Sequence, residues 1–522
     1  MEDPLIPFVA AGCVAAWVGS RTILDRARCA KRLPYPPGPP QLPVVGNLLQ
    51  ITDFEVYKTF AAWGKTYGGI VYFHLFGKQY IVLNDLKTVT DLFEHRNGRY
   101  SQRPDMPMVG ELIGREENSI AFQKYGQGLK DARKLINSWI GKSPTNGLTP
   151  QITASCHKFM GTLLNDPEGF MDNARFALGS MSLKLTFGIN CKTKDDPFIH
   201  LSEKMQHLTT KALKPGKWLV EFFPVCKLAN VPSWMPMAEF KRWSEDAKRQ
   251  INEAIHVFFD YTRRAVLNGE AEACWAAGEM LDSNGNMKTG EEAERLAVTC
   301  AAMYAGAIDT TISVLHMFFL LMARHPEIQR RAQEEIDKVV GSDRLPEMSD
   351  RESLPYLNRI IREALRFAPV APLVVHSLDE DDVYEGFLIP KGTAVLANIW
   401  AILHNPEMYK DPEVFNPDRY IDTKDRPAEP DHSQAVFGFG RRACPGSHFA
   451  LANLFLDFAL ILSAFNIKPI KNSAGEEVPP EIKMIDGHTR AVQPFKCVIE
   501  PRNAEKAQLV RQAVSAANES SY

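Results

Sequence analysis

Residues 296–322 are apolar on nearly every side, and Asp309 is their only charge. The run is long enough to span a bilayer. A carboxylate in its middle would be costly in lipid, so the pattern predicts a long helix buried through the centre of a domain. On that helix Thr310 shares a face with Ala307 and Gly306, and with Met303 and Ala302 one turn further. Small side chains there let a flat group approach the backbone. A second apolar helix is predicted over residues 447–465. Amphipathic helices start at His325-Pro-Glu327, with Pro326 at a tolerated first position, and near Leu354. Period-two patterns are fewer. Residues 70–76 and 80–83 read as a hairpin about Gly77-Lys-Gln79; 372–376, 392–398 and 495–500 read as further strands. Helical stretches fill the chain from the hairpin to about residue 340. The expected class is mainly α with a smaller β region.

The ends differ from the middle. Residues 5–19 carry no charge, and the apolar run reaches Leu24 if Arg21 snorkels. Glu2 and Asp3 precede it; Arg21, Arg26, Arg28, Lys31 and Arg32 follow. The positive side stays cytoplasmic, which predicts an anchor at 1–24 with the body in the cytosol. A cleaved signal peptide would need a positive n-region, which is absent. A basic and proline-rich hinge is expected at 25–45, where Pro34-Tyr-Pro-Pro-Gly-Pro-Pro40 reads as a stiff, extended spacer. Residues 46–502 form the main domain, and the polar tail 503–522 is expected to fray. A net charge of −3 over 522 residues gives no general pull toward nucleic acid. The nine cysteines, without a C-x-x-C pair, suit a reducing, cytosol-facing body.

One cysteine stands apart. Cys444 lies in Phe437-Gly-Phe-Gly-Arg-Arg-Ala-Cys-Pro-Gly446. Gly438 and Gly440 let the backbone turn tightly, and Ser447 is a good N-cap for the 447–465 helix. A cysteine offered at a helix N-terminus meets N–H groups and a dipole that favour a thiolate. A thiolate is a strong axial ligand for haem iron and promotes O–O cleavage. Arg442 can pair with an anionic group such as a haem propionate. Three other readings compete. Cys444 can be a small buried hydrophobe, although the glycine loop and two arginines argue against that. It can be half of a zinc site with His448, but no second Cys/His pair accompanies them. Gly438-Phe-Gly-Arg-Arg-Ala443 also fits the dinucleotide pattern G-x-G-x-x-A, with Asp457 downstream; there Pro445-Gly446 interrupts the helix that should follow.

The loop resembles the haem-binding segment of the cytochrome P-450 family, F-x-x-G-x-R-x-C-x-G, with matches at Phe437, Gly440, Arg442, Cys444 and Gly446. Gly306-Ala-Ile-Asp-Thr-Thr311 is similar to the family's oxygen-binding helix, with Ala307 in place of the second glycine. Glu363-Ala-Leu-Arg366 resembles the E-x-x-R element and Phe415-Asn-Pro-Asp-Arg419 the P-x-R element. The likeness runs from the proline hinge to Arg502, and is to membrane-anchored eukaryotic members of fungal type. It implies a cytochrome P-450 fold around a buried haem b, preceded by a transmembrane helix, with Cys444 as the axial ligand of the iron. It places Phe437, Gly440 and Arg442 in the cofactor loop, and Arg133 and His376 as propionate partners. Leu129 and Ser377 stand where members usually carry Trp and often Arg. Asp309 and Thr310 would serve proton delivery. Glu363, Arg366 and Arg419 would hold the cysteine loop structurally.

The implied activity is monooxygenation of a lipophilic small molecule of secondary metabolism, such as a terpenoid, polyketide or fatty-acid derivative. Met108, Ile113, Val370, Leu373 and Val374 would line an apolar pocket. The resemblance implies electrons from a separate NADPH–cytochrome P-450 reductase docking near Arg441, and admits cytochrome b5 as a further partner. It also implies a single-pass protein of the endoplasmic reticulum membrane. Two rival functions remain at this stage: a haem-thiolate sensor, and a haem-dependent isomerase or dehydratase that uses no O2.

Overall fold

A computed structural model describes residues 33–519, apart from residues 53, 215, 223–231, 233, 236–237, 425, 486 and 488. The expected anchor at 1–24 lies outside the described residues, as does the start of the hinge. The N-terminal hairpin forms where the alternation predicts it, with β1 (Ile70–Leu75) antiparallel to β2 (Lys78–Leu83). Its turn is tighter than the 77–79 loop read from the sequence. Phe76 and Gly77 take φ values of 47° and 77°. A two-residue turn of this hand matches the twist of the strands, so Lys78 and Gln79 already pair. Two later strands, β3 (Leu373–Ser377) and β4 (Ala394–Asn398), extend the sheet in the order β1-β2-β4-β3. β2 runs parallel to β4, and β3 antiparallel to it.

The proline-rich stretch is held on this sheet. An extended proline segment has free carbonyls, and here Tyr72 N–H donates to the Pro37 carbonyl at 2.9 Å while Leu388 N–H donates to that of Pro34 at 2.8 Å. Tyr35 stacks on Tyr72 at 4.7 Å. A Cβ on Gly38 would come within 1.9 Å of the Tyr72 carbonyl oxygen. Only glycine allows this approach.

The longer helices are α1 (Val56–Tyr67), α2 (Gln127–Ile140), α3 (Thr149–Asn165), α4 (Phe170–Phe187), α5 (Pro197–Leu213), α6 (Glu239–Asn268), α7 (Gly290–Arg324), α8 (Pro326–Val340), α9 (Pro355–Phe367), α10 (Ser447–Ala464) and α11 (Ala504–Glu519). Small strands close the C-terminal part: β5 (Phe465–Lys468) pairs with β8 (Val498–Pro501), and β6 (Met484–Ile485) with β7 (Ala491–Val492). α7 is the predicted central helix. Glu291 and Glu292 favour its N-terminal dipole, and it ends before Pro326, because the residue preceding a proline disfavours helical backbone. Phe318 of α7 stacks on Phe458 of α10 at 3.8 Å. Both helices are apolar enough to cross a membrane, but 72% and 78% of their apolar windows are buried inside the protein, as the Asp309 argument anticipates for α7.

Two expectations fail. Ser447 is the first residue of α10 and does not cap it; the N-cap is Gly446, and no side chain bonds there. The Pro445-Gly446 turn feeds straight into the helix. The tail does not fray through its length, because residues 504–519 form α11. Lys506, Ala507, Val510 and Ala517 are buried along it, and a Cβ on Gly161 of α3 would meet Val514 at 2.8 Å. A small-residue face docks a helix whose overall composition is polar.

Candidate functional site

The cysteine loop is a strained turn pinned at several points. Gly440 has φ +56°, and a Cβ there would lie 2.1 Å from the Phe93 carbonyl oxygen, so the position requires glycine. Gly440 N–H donates to the Glu94 carboxylate at 2.7 Å, and Cys444 N–H closes the loop on the Phe437 carbonyl at 2.6 Å. Arg133, on α2, donates to the Ala443 carbonyl at 2.5 Å. Cys444 keeps an open face although protein surrounds it on most other sides. Burial pushes its thiol above the usual range, while the Gly446 N–H and Arg133 pull the other way. The helix-end effect expected from the sequence is therefore outweighed, since α10 begins only at Ser447. A cation bound at the sulfur would reverse that balance.

Beside the loop sits a cluster of cations. Arg442 donates to the Ser101 and Gln123 carbonyls at 2.8 Å each. Arg103 donates to the Ala121 carbonyl at 2.8 Å and to that of Val375. Arg133 completes the group. Among the described residues these three bond only to carbonyl oxygens, and no carboxylate pairs with them. Burial and then Arg103 and Arg133 push Arg442 down to about 9; burial and Arg133 push Arg103 down to about 10. The Nη1 of Arg442 is buried without a partner. His376 is buried on β3, stacked on Phe93 at 4.0 Å, with Nδ1 donating to the Tyr100 carbonyl at 2.8 Å. Its Nε2 also lacks a partner. Burial and Arg103 hold its pKa well below the usual value. Leaving three guanidiniums and an imidazole without an acid is costly, and an anion would relieve it.

The central helix supplies the third part. Nearly all of α7 beyond Leu296 is buried, yet Gly306 and Thr310 are exposed. A Cβ on Gly306 would touch nothing within 4 Å. The small-residue face predicted from the sequence thus borders open space inside the protein. Thr310 Oγ1 donates to the Gly306 carbonyl at 2.8 Å, which leaves its lone pairs free to accept. Asp309 points elsewhere, to Arg175 of α4 at 3.2 Å. Both line a cavity of about 930 Å³ between α4, α5 and α7. Glu168, Glu203 and His207 on its wall are exposed, so it opens to solvent.

The competing readings of the loop do not survive. Among the described residues no group of three His, Cys, Asp or Glu side chains is arranged for a metal ion, so Cys444 and His448 lack the rest of a zinc site. Asp457 is no strand-end acid: it is buried inside α10, accepts from Asn453 at 2.6 Å, and burial pushes it up to about 7.

A family model described as Cytochrome P450 matches residues 36–490. The chain belongs to the cytochrome P450 family. It is 35% identical to cytochrome P450 monooxygenase 208 of Postia placenta, covering 96% of each chain. It is 34% identical to cytochrome P450 monooxygenase claR of Ampulloclitocybe clavipes, over 92% of this chain and 89% of that one. A monooxygenase of fungal type is thereby favoured over the sensor and isomerase readings.

P450s carry haem, and the residues present fit it. The open Gly306 face leaves room for a flat group, Cys444 offers sulfur, and the arginine cluster lacks an anion. Arg442, Arg103 and Arg133 would hold the two propionates. His376 fits only as an imidazolium, because Nδ1 already carries the proton that bonds Tyr100. A neighbouring carboxylate would have to hold a second proton on the ring. Arg103 was missed by sequence reading, and Gln102-Arg103-Pro104 bears no motif that singles it out.

The structural triad is more enclosed than a surface i, i+3 pair. Glu363, Arg366 and Arg419 are at most 1% exposed. Arg366 bonds both Glu363 oxygens, at 2.8 and 2.9 Å, and Arg419 bonds both at 3.0 Å. Glu429 gives Arg419 a second carboxylate, and Tyr420 donates to Glu363 at 3.1 Å. Of the expected pocket residues, Met108 and Ile113 are buried and Val370, Leu373 and Val374 half-buried.

Proposed function

We propose that this P450 inserts one oxygen atom of O2 into a lipophilic secondary metabolite, using haem b held by Cys444. Electrons come from an NADPH-dependent reductase docking near the exposed Arg441, with cytochrome b5 as a further donor, and residues 1–24 anchor the protein in the endoplasmic reticulum membrane with its body in the cytosol. When bound, the haem supplies oxygen activation; that chemistry consumes protons. The observation carrying this reading is the break in burial at Gly306 and Thr310, backed by the Asp309–Arg175 contact at 3.2 Å on the solvent-open cavity. Thr310 Oγ1 holds a water or the reacting group by hydrogen bonding. Asp309 takes protons from the solvent-open cavity and passes them inward through water, since it lies about 100° round the helix from Thr310.

Thr310→Ala is expected to keep fold, haem and substrate binding while losing product. NADPH consumption should continue, with the difference appearing as peroxide or excess water. A variant with the wild-type ratio of product to NADPH would remove Thr310 from the mechanism. Arg175 acts through Asp309, as a positioning residue. Arg175→Gln should leave haem loading and substrate binding unchanged, slow product formation several-fold, and enlarge the solvent deuterium isotope effect. An unchanged isotope effect would show the ion pair to be structural only.

A further inference from the structure

A second cavity lies apart from the cysteine loop. It encloses about 420 Å³, within the range of about 300–1,000 Å³ typical of small-molecule sites. Its walls come from α1, the end of α9, α7 and the β6–β7 hairpin. Phe54, Met317, Phe367 and Trp400 make the apolar part, and Arg490, Lys58 and Lys483 are its cations, against Glu55 and Glu413. Lys483 is paired with Glu481 at 2.6 Å, which leaves Arg490 and Lys58 to face Glu55 and Glu413. Met317 is two turns beyond Thr310, about 10 Å along α7, so the site is separate from the open Gly306 face.

Arg490 is the informative residue. It is 9% exposed and lines the cavity. Its backbone N–H donates to the Val370 carbonyl at 2.8 Å, and its guanidinium lies 5.1 Å from the Tyr57 ring centre. One nitrogen, Nη2, bonds Glu55 at 3.1 Å, but Nε is buried with no partner. Glu55 is already shared with Lys58 at 2.6 Å. His404, on the same wall, is pushed down to about 3, chiefly by burial and Arg366 and less by Arg490 and Lys58, while its bond to the Trp400 carbonyl pulls the other way. A buried guanidinium N–H left unbonded is costly, and a planar carboxylate matches its fork. Trp400 stacks on His404 at 4.4 Å and offers a broad apolar face. At the rim Phe54 and Ile482 are 53% and 38% exposed beside the exposed Lys58, Lys483 and Glu413, so the mouth offers apolar surface next to charge.

We propose that this cavity binds an amphiphile with a single carboxylate, its head on Arg490 and Lys58 and its apolar body against Trp400, Phe54 and Met317. The proposal does not rest on the oxygen-insertion reading. Its test uses haem-loaded, full-length protein with the haem blocked by a saturating azole, titrated with dodecanoate and with dodecanol in a calorimeter. Dodecanoate should bind despite the azole, and dodecanol should bind at least about tenfold more weakly. Arg490→Gln should weaken dodecanoate by roughly tenfold or more, and Lys58→Gln by a few-fold, with dodecanol unchanged. If Arg490→Gln does not load haem, the half-exposed Lys58→Gln and Phe54→Ala variants decide. Loss of all dodecanoate binding on adding azole, or equal affinity in wild type and variants, would overturn the proposal.

Discussion

Glu363→Ala is expected to yield little or no haem-loaded protein. Glu363 is 0% exposed and neutralises two arginines that are equally enclosed. It also accepts the Asn416 N–H at 3.0 Å and the Tyr420 hydroxyl at 3.1 Å. Removing it leaves Arg366 with only the carbonyls of Leu403 and Val414, and Arg419 with Glu429. Breaking such a buried pair typically costs about 3–5 kcal/mol, against a total stability of about 5–15 kcal/mol. The damage would reach the cofactor loop, because α9 also carries Arg362, paired with Asp431 at 3.3 Å just before the 3-10 turn Ser433–Phe437. Haem content per purified protein and urea unfolding check the effect. Normal haem content with merely slowed turnover would show Glu363 to be no part of the scaffold.

Cys444→Ala should eliminate the thiolate-specific absorption band of the reduced CO complex. Among the described cysteines only Cys444 is exposed. Burial drives the thiols of Cys156 and Cys300 well above their ordinary value and that of Cys497 up to about 12. Among the described residues no cation acts on these three thiols as Arg133 acts on Cys444; Cys156 instead faces Asp457, which disfavours a thiolate further. Loss of the band on mutating one of them, with Cys444→Ala unaffected, would move the ligand elsewhere.

Much of this was legible because the chemistry is local. The cysteine loop spans ten consecutive positions, and its Gly440 is explained by a carbonyl 2.1 Å from a would-be Cβ. The central helix was legible from length, and its interior place from one charge. What stayed hidden were contacts between distant segments. Arg175 meets Asp309 across 134 positions, and Arg103 reaches Val375 across 272. No local pattern marks either arginine. The proline stretch read as a spacer because its carbonyl partners, Tyr72 of β1 and Leu388, are remote in sequence. The tail read as frayed from its polar composition, although Ala507, Val510, Val514 and Ala517 recur at helical spacing and supply the face that docks on α3. The Cys444 thiol was read from the N–H groups and dipole of a helix end, and burial proved the larger effect.

We propose oxygen insertion by a haem held through Cys444. Membranes containing the protein, a P450 reductase and NADPH should be incubated with a lipophilic extract under isotopically labelled O2, and products followed by mass spectrometry. Wild type should give products heavier by one labelled oxygen atom, absent with Cys444→Ala and absent without reductase. Products that form without O2, or that carry oxygen from water, would contradict the account.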